Sequence, residues 1–133
     1  MDYGADGLEI EVPETASILR MRDTPRVEDV GHEIEKSLME PIDTPSLQKL
    51  AQGRKDACIV ISDITRPVPN KILLPPILRT LEDQGIAREN IVILIGTGLH
   101  RPNEGEELNR LVGADIAQKY QVVNHRAKEK HTL

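Results

Sequence analysis

Two loops carry most of the residue types that can do chemistry. The first, SDITRPVPN from Ser62 to Asn70, follows the apolar run ACIVI and offers an acid (Asp63), a hydroxyl (Thr65) and a guanidinium (Arg66). The second, GTGLHRPNEG from Gly96 to Gly105, follows the apolar run NIVILI and offers Thr97, Gly98, His100 and Arg101. A loop histidine titrates near neutrality and can take or give a proton, while an arginine grips a carboxylate or phosphate through a planar fork of donors. Together these types fit an acid/base step on a small anion. Each also has a plainer use. Asp63 serves equally as a turn or capping residue, Arg66 pairs with it on the surface at little gain, and many loop histidines are simply solvated. Gly96-Thr97-Gly98 lets backbone N–H groups approach an anion, but it lacks the lysine and the spacing of a phosphate-binding P-loop.

Such residues need elements to hold them. Ala57 to Ile61 and Asn90 to Ile95 are continuous apolar runs rich in β-branched residues, the pattern of strands covered on both faces. Cys58, inside the first run, reads as a small buried hydrophobe. A third strand is expected around Tyr120 to Val123, with Asn124 and His125 just beyond it. Helices are expected over Val27–Met39, from Pro45 or Ser46 to about Gln52 with Thr44 as N-cap, over Lys71–Gln84, over Glu104–Leu111 and over Ala114–Lys119. Pro75 and Pro76 must then lie in the first turns of the third helix or bend it. GLEIEVP, from Gly7 to Pro13, alternates apolar and charged residues and predicts an N-terminal edge strand. Strands alternating with helices at these lengths pair in parallel through crossovers. The fold class is α/β, a three-layer sandwich around a mostly parallel, Rossmann-like sheet. In such sheets ligands bind beyond the carboxyl ends of the strands, and all three ends are polar here, so residues just past two adjacent ends, such as Asp63 and His100, can share one pocket. Prolines 67 and 69 stiffen the first loop and lower the ordering cost of holding Asp63 and Arg66 for a ligand.

Composition narrows the classes. The chain has 133 residues, a formal net charge of −5 and an estimated pI near 5.4, and it holds two Tyr with no Phe or Trp. It therefore has neither the basic footprint nor the stacking platform of a nucleic-acid binder. The lone Cys58 allows no disulfide framework, and no apolar run reaches the roughly 18 to 20 residues of a membrane span. A cytoplasmic protein is expected, with no nucleic-acid or membrane partner. His32 falls on the polar face of its helix, and the spacing of His100, His125 and His131 matches no compact metal motif. The last nine residues, HRAKEKHTL, are charged and end without a cap or turn signal, as a truncated chain would.

The motifs resemble those of the lactate racemase family, whose members use a nickel-pincer nucleotide. The resemblance is carried by Tyr3-Gly4 with GLEIEVP, by MEPIDTPSLQKLA, by VISDITRPVPNKILLPPIL and by ILIGTGLHRP, and it spans nearly the whole chain. It implies residues 1–133 of an N-terminal catalytic-domain portion of a 2-hydroxy-acid racemase or epimerase. In that family the reaction proceeds by hydride transfer to the cofactor and back. By motif, His100 would be one of a pair of acid/base histidines, and Arg66 would bind the substrate carboxylate. Asp63, Thr65, Thr97 and Gly98 would line the cofactor. The tethering lysine, the nickel-binding histidine and the partner acid/base histidine of the family would lie beyond residue 133, in a remaining C-terminal part. Arg126 stands where relatives tend to carry an acid after Asn-His, so His125 receives no role. The isolated chain would then hold no nickel and racemise nothing. The alternative, on the residues alone, is a free-standing module that binds a small anion or nucleotide without catalysis.

Overall fold

The computed structural model describes residues 6–127, and Tyr3, Gly4 and His131 lie outside that range. Three strands, β1 (Ala57–Ser62), β2 (Ile91–Gly96) and β3 (Gln121–Asn124), form a parallel sheet in the order β1-β2-β3. The register pairs Ala57 with Ile91 and Ser62 with Gly96, and Val92 with Gln121 through Ile95 with Asn124. Five helices accompany them: α1 (Val30–Met39), α2 (Leu47–Ala51), α3 (Asn70–Asp83), α4 (Glu106–Val112) and α5 (Ala114–Lys119). The α/β class and the parallel pairing agree with the apolar pattern.

The core lies on one side of the sheet. Ile61, Ile91, Ile93 and Ile95 point from β1 and β2 into a cluster with Leu74, Leu78 and Leu81 of α3 and Leu111, Val112 and Ile116 of α4 and α5. Ile91, Ile93, Ile95 and Val112 are wholly buried, and each such side chain contributes about 1.5–3 kcal/mol relative to exposure. A strand order that advances in one direction explains the arrangement. Right-handed crossovers from β1 to β2 and from β2 to β3 must both run over the same face.

Local signals set the helix ends. Asp29 caps α1 by accepting from the His32 N–H at 2.9 Å, so the helix starts later than the apolar spacing alone implied. Ser46, not Thr44, caps α2, accepting from the Lys49 N–H at 3.3 Å, because this helix starts at Leu47. Gly85, at φ 88°, turns the chain out of α3 in a conformation that side chains resist. Pro75 and Pro76 sit inside α3, past its first turn, and leave the carbonyls of Lys71 and Ile72 without their helical donors.

Two expectations are corrected. Gly7–Pro13 joins no sheet: Leu8, Ile10 and Val12 are 45%, 51% and 46% exposed, because the alternation finds no strand to pair with among the described residues. Nor is β1 covered on both faces. Val60 is 67% exposed and Cys58 is exposed too, since their side of the sheet carries no helix among the described residues. No described helix is long and apolar enough to cross a membrane.

Candidate functional site

The site forms where the register brings two strand ends together. Pairing of Ser62 with Gly96 sets the loop after β1 beside the loop after β2, although Asp63 and His100 are far apart in sequence. Thr97 folds back at once: its N–H donates to the Ile95 carbonyl at 2.9 Å, and the His100 N–H donates to the Thr97 carbonyl at 3.0 Å. Gly98, at φ 57°, provides the left-handed residue of this turn, which swings His100 back toward β1.

There His100 meets Asp63. Nδ1 of the imidazole lies 2.5 Å from Oδ2 of Asp63, a carboxylate only 5% exposed. The other oxygen, Oδ1, accepts from the Thr65 hydroxyl at 2.6 Å and from the Thr65 N–H at 3.2 Å. The Thr65 hydroxyl, and next the His100 ring, hold the Asp63 carboxyl below its ordinary pKa and outweigh the opposing cost of burial. An ionised carboxylate in this position accepts Nδ1–H. It thereby fixes the tautomer and leaves Nε2, on the 54% exposed side chain, free to exchange a proton.

Arg66 stands beside this pair without joining it. Its N–H closes a turn onto the Asp63 carbonyl at 3.1 Å, while its guanidinium is exposed and has no polar partner among the described residues. The surface pairing of Arg66 with Asp63 does not form, since Thr65 and His100 occupy both carboxylate oxygens. At the end of the same loop Asn70 is 3% exposed, and its side-chain Nδ2 has no hydrogen-bond partner. The loop thus exposes a charged fork, buries an unpaired donor at its end, and has its one carboxylate already engaged.

The remaining residues brace the strand ends. Thr97 is 2% exposed and turns its hydroxyl inward to the carbonyl of His125, whose N–H donates to Ile95 at 2.9 Å. Its side chain therefore ties β3 to β2. Asn103, which sequence reasoning did not single out, is the hub. Its Oδ1 accepts from the Ile64 N–H at 3.1 Å, its own N–H donates to Asn124 Oδ1 at 2.8 Å, and its carbonyl accepts from Asn124 Nδ2 at 3.0 Å. It joins the loops after β1 and β2 to the end of β3. Glu107 holds this hub from α4, accepting from Asn103 Nδ2 at 3.2 Å and from both ends of the Arg101 guanidinium at 2.6 Å. Those bonds lower the Glu107 pKa to about 2. The available signal was a carboxylate in the first turn of a helix that follows Arg-Pro-Asn.

A cavity of about 310 Å³ opens beside His100, lined by Gly98, Arg101, Pro102, His125 and Arg126 among others. The site residues named from sequence therefore separate. Asp63, Thr65 and His100 are bonded together, Gly98 and His100 share the cavity, Arg66 stands exposed on the adjacent loop, and Thr97 faces inward. Among the described residues no group of three His, Cys, Asp or Glu could hold a metal ion.

Comparison with known proteins adds to this geometry. The family model described as lactate racemase N-terminal domain matches residues 3–133. A lactate racemase from Thermoanaerobacterium thermosaccharolyticum is 33% identical over 135 residues, an alignment covering 98% of this chain and 32% of the relative. One from Lactiplantibacillus plantarum is 43% identical over 93 residues, covering 69% of this chain and 22% of the relative. Among solved structures, the lactate racemase apoprotein from T. thermosaccharolyticum superposes with a TM-score of 0.67 at 37% identity, over 73% of this chain and 23% of that one. A protein from Thermotoga maritima shares the fold, with a TM-score of 0.54 at 21% identity over 75% of this chain and 22% of that one. The chain spans a third or less of the length of the curated relatives it matches.

Proposed function

Because the chain belongs to the lactate racemase family, as its N-terminal domain, we propose that it supplies one acid/base histidine and part of the ligand wall of a 2-hydroxy-acid racemase. The observation that carries this reading is the 2.5 Å contact between His100 Nδ1 and the buried Asp63 carboxylate. It leaves Nε2 poised for a proton, with the unpaired Arg66 on the same loop as Asp63.

The residues have distinct tasks. Arg66 binds the substrate carboxylate through its fork of donors. His100 Nε2 takes the proton of the 2-hydroxyl as C2 is oxidised, and returns it to the carbonyl oxygen when C2 is reduced again. Asp63 keeps the imidazole oriented through both steps, as a positioning group that stays ionised. Thr65 holds Asp63, and Gly98 gives the loop a backbone that a ligand can approach closely.

The nickel-pincer nucleotide implied by the family fits these residues in part. The exposed Arg66 and the orphaned Nδ2 of Asn70 suit its anionic portions, whereas Asp63 has no free oxygen to offer a metal. Nickel ligands then belong to the C-terminal part that the relatives' lengths leave room for. When bound, that cofactor supplies the acceptor and donor of the C2 hydride. On this reading the isolated chain does not racemise, because the partner acid/base histidine and the nickel ligand of the family would lie in that C-terminal part.

The test is interconversion of D- and L-lactate by a complete racemase that contains this chain. His100→Ala should lower the rate by about 10²–10⁴-fold, the usual worth of a general acid/base. An unchanged rate would remove His100 from the chemistry, and measurable turnover by purified residues 1–133 would overturn the assignment of the missing part.

A further inference from the structure

The two faces of the sheet have unlike surroundings. One is packed under α3, α4 and α5. The other is formed by Cys58, Val60 and Ser62 of β1, Val92, Leu94 and Gly96 of β2, and Gln121 and Val123 of β3. None of these residues is charged. None of the apolar ones belongs to or packs on the core cluster, and Val60 is 67% exposed. An all-parallel sheet is normally buried on both faces, and this face has no cover among the described residues.

We propose that the open face receives the C-terminal region of a lactate racemase polypeptide, which packs a second layer on Cys58, Val60, Val92, Leu94 and Val123. The identity of this occupant rests on the family reading above. Two facts single it out. The matched relatives extend far beyond the 32% and 22% of their lengths that the alignments cover, so they carry ample chain to form a layer. Topology also gives such a chain a route. Both crossovers within residues 57–124 run over the packed face, and β1 has a free edge among the described residues. A right-handed connection that adds a parallel strand at that edge must run over the open face instead. The strand order then reverses at β1. Ligands of open α/β sheets bind at such a reversal, beyond the strand's carboxyl end, where Asp63 and Arg66 stand. Docking would thus bring the second wall of the site over the first.

Cys58 is the chain's one cysteine and lies on this face, so its reactivity reports coverage independently of any catalysis. Two samples are compared: the chain itself, and the chain joined in one polypeptide to the C-terminal region of the T. thermosaccharolyticum relative. Alkylation is followed on the peptide that carries Cys58. The short chain should react as a free thiol at every protein concentration, and the joined one at least about tenfold more slowly, because reaction then waits on local opening. Val60→Asp should leave the unfolding midpoint of the short chain unchanged and lower that of the joined one. Equal labelling rates, or melting of the joined polypeptide as two independent units, would overturn the proposal. Protection of the short chain that grows with concentration would also do so, since it would assign the face to a second copy. The lactate assay is independent of these readouts, so failure of the docking and failure of the racemase reading are distinguishable.

Discussion

The loops after β1 and β2 each contain an Arg-Pro pair, and the two arginines have opposite circumstances. Arg101 is locked to Glu107 by two bonds of 2.6 Å, and through Glu107 it is tied to the Asn103 hub. Arg66 has no side-chain partner among the described residues, and the acid nearest to it in sequence is occupied by Thr65 and His100. The same dipeptide therefore braces one loop and leaves a cation available on the other. Where a carboxylate is free to accept, arginine becomes structure; where the carboxylate is already satisfied, arginine stays unpaired.

Substitutions can break this contrast. The largest effect is expected for Arg66→Ala in a complete racemase. Loss of a charge-assisted contact worth about 1.5–3 kcal/mol should raise KM for the hydroxy acid roughly 10- to 150-fold. Urea unfolding of residues 1–133 carrying that change should stay within about 0.5 kcal/mol of the parent, as for other surface substitutions. A large loss of stability would mean that Arg66 is a brace after all.

Asn103→Ala should act the other way. It strands the Ile64 N–H and takes one donor away from the Glu107 carboxylate, and should cost about 1–3 kcal/mol in urea unfolding. Arg101→Ala, which removes a more exposed partner, should lower the midpoint by less than Asn103→Ala does.

The smallest effect is a pH dependence. The Glu107 pKa falls from an ordinary 4.5 to about 2 in the folded chain. Stability from its bonds is therefore fully present above the unfolded value and is lost as pH falls through the folded one. The unfolding midpoints of the parent and of Glu107→Gln should differ by a constant amount above pH 4.5 and converge as pH approaches 2. A gap that persists at low pH would assign the contribution to packing instead of charge.

Much of this molecule was legible in its sequence. The apolar runs at 57–61 and 90–95 marked β1 and β2 to within a residue or so, because buried parallel strands need unbroken apolar stretches. Helix α5 falls at the expected Ala114–Lys119, since Gly113 and the next strand bound it tightly. Alternation at Gly7–Pro13 misled, because a period of two describes how a strand is half buried and says nothing of whether a partner strand is present. The error over Cys58 and Val60 is informative in another way: their pattern signals two-sided burial, and one cover lies beyond the described residues on the reading proposed above. That Asp63 and His100 can share one pocket followed from adjacent strand ends, but their direct bond did not. It depends on the alignment of Ser62 with Gly96 and on the turn at Gly98, which bring the two residues together across 37 positions of chain. Asn103 was missed for the same reason, since all its importance lies in partners from other loops.

The proposed role of His100 requires that Asp63 hold Nδ1 and leave Nε2 free, and nitrogen-15 NMR of the imidazole in residues 1–133 reads that state directly. In the neutral ring Nδ1 should be protonated and Nε2 unprotonated, with the preference lost in Asp63→Asn. A ring protonated at Nε2, or one that averages between tautomers with Asp63 intact, would contradict it.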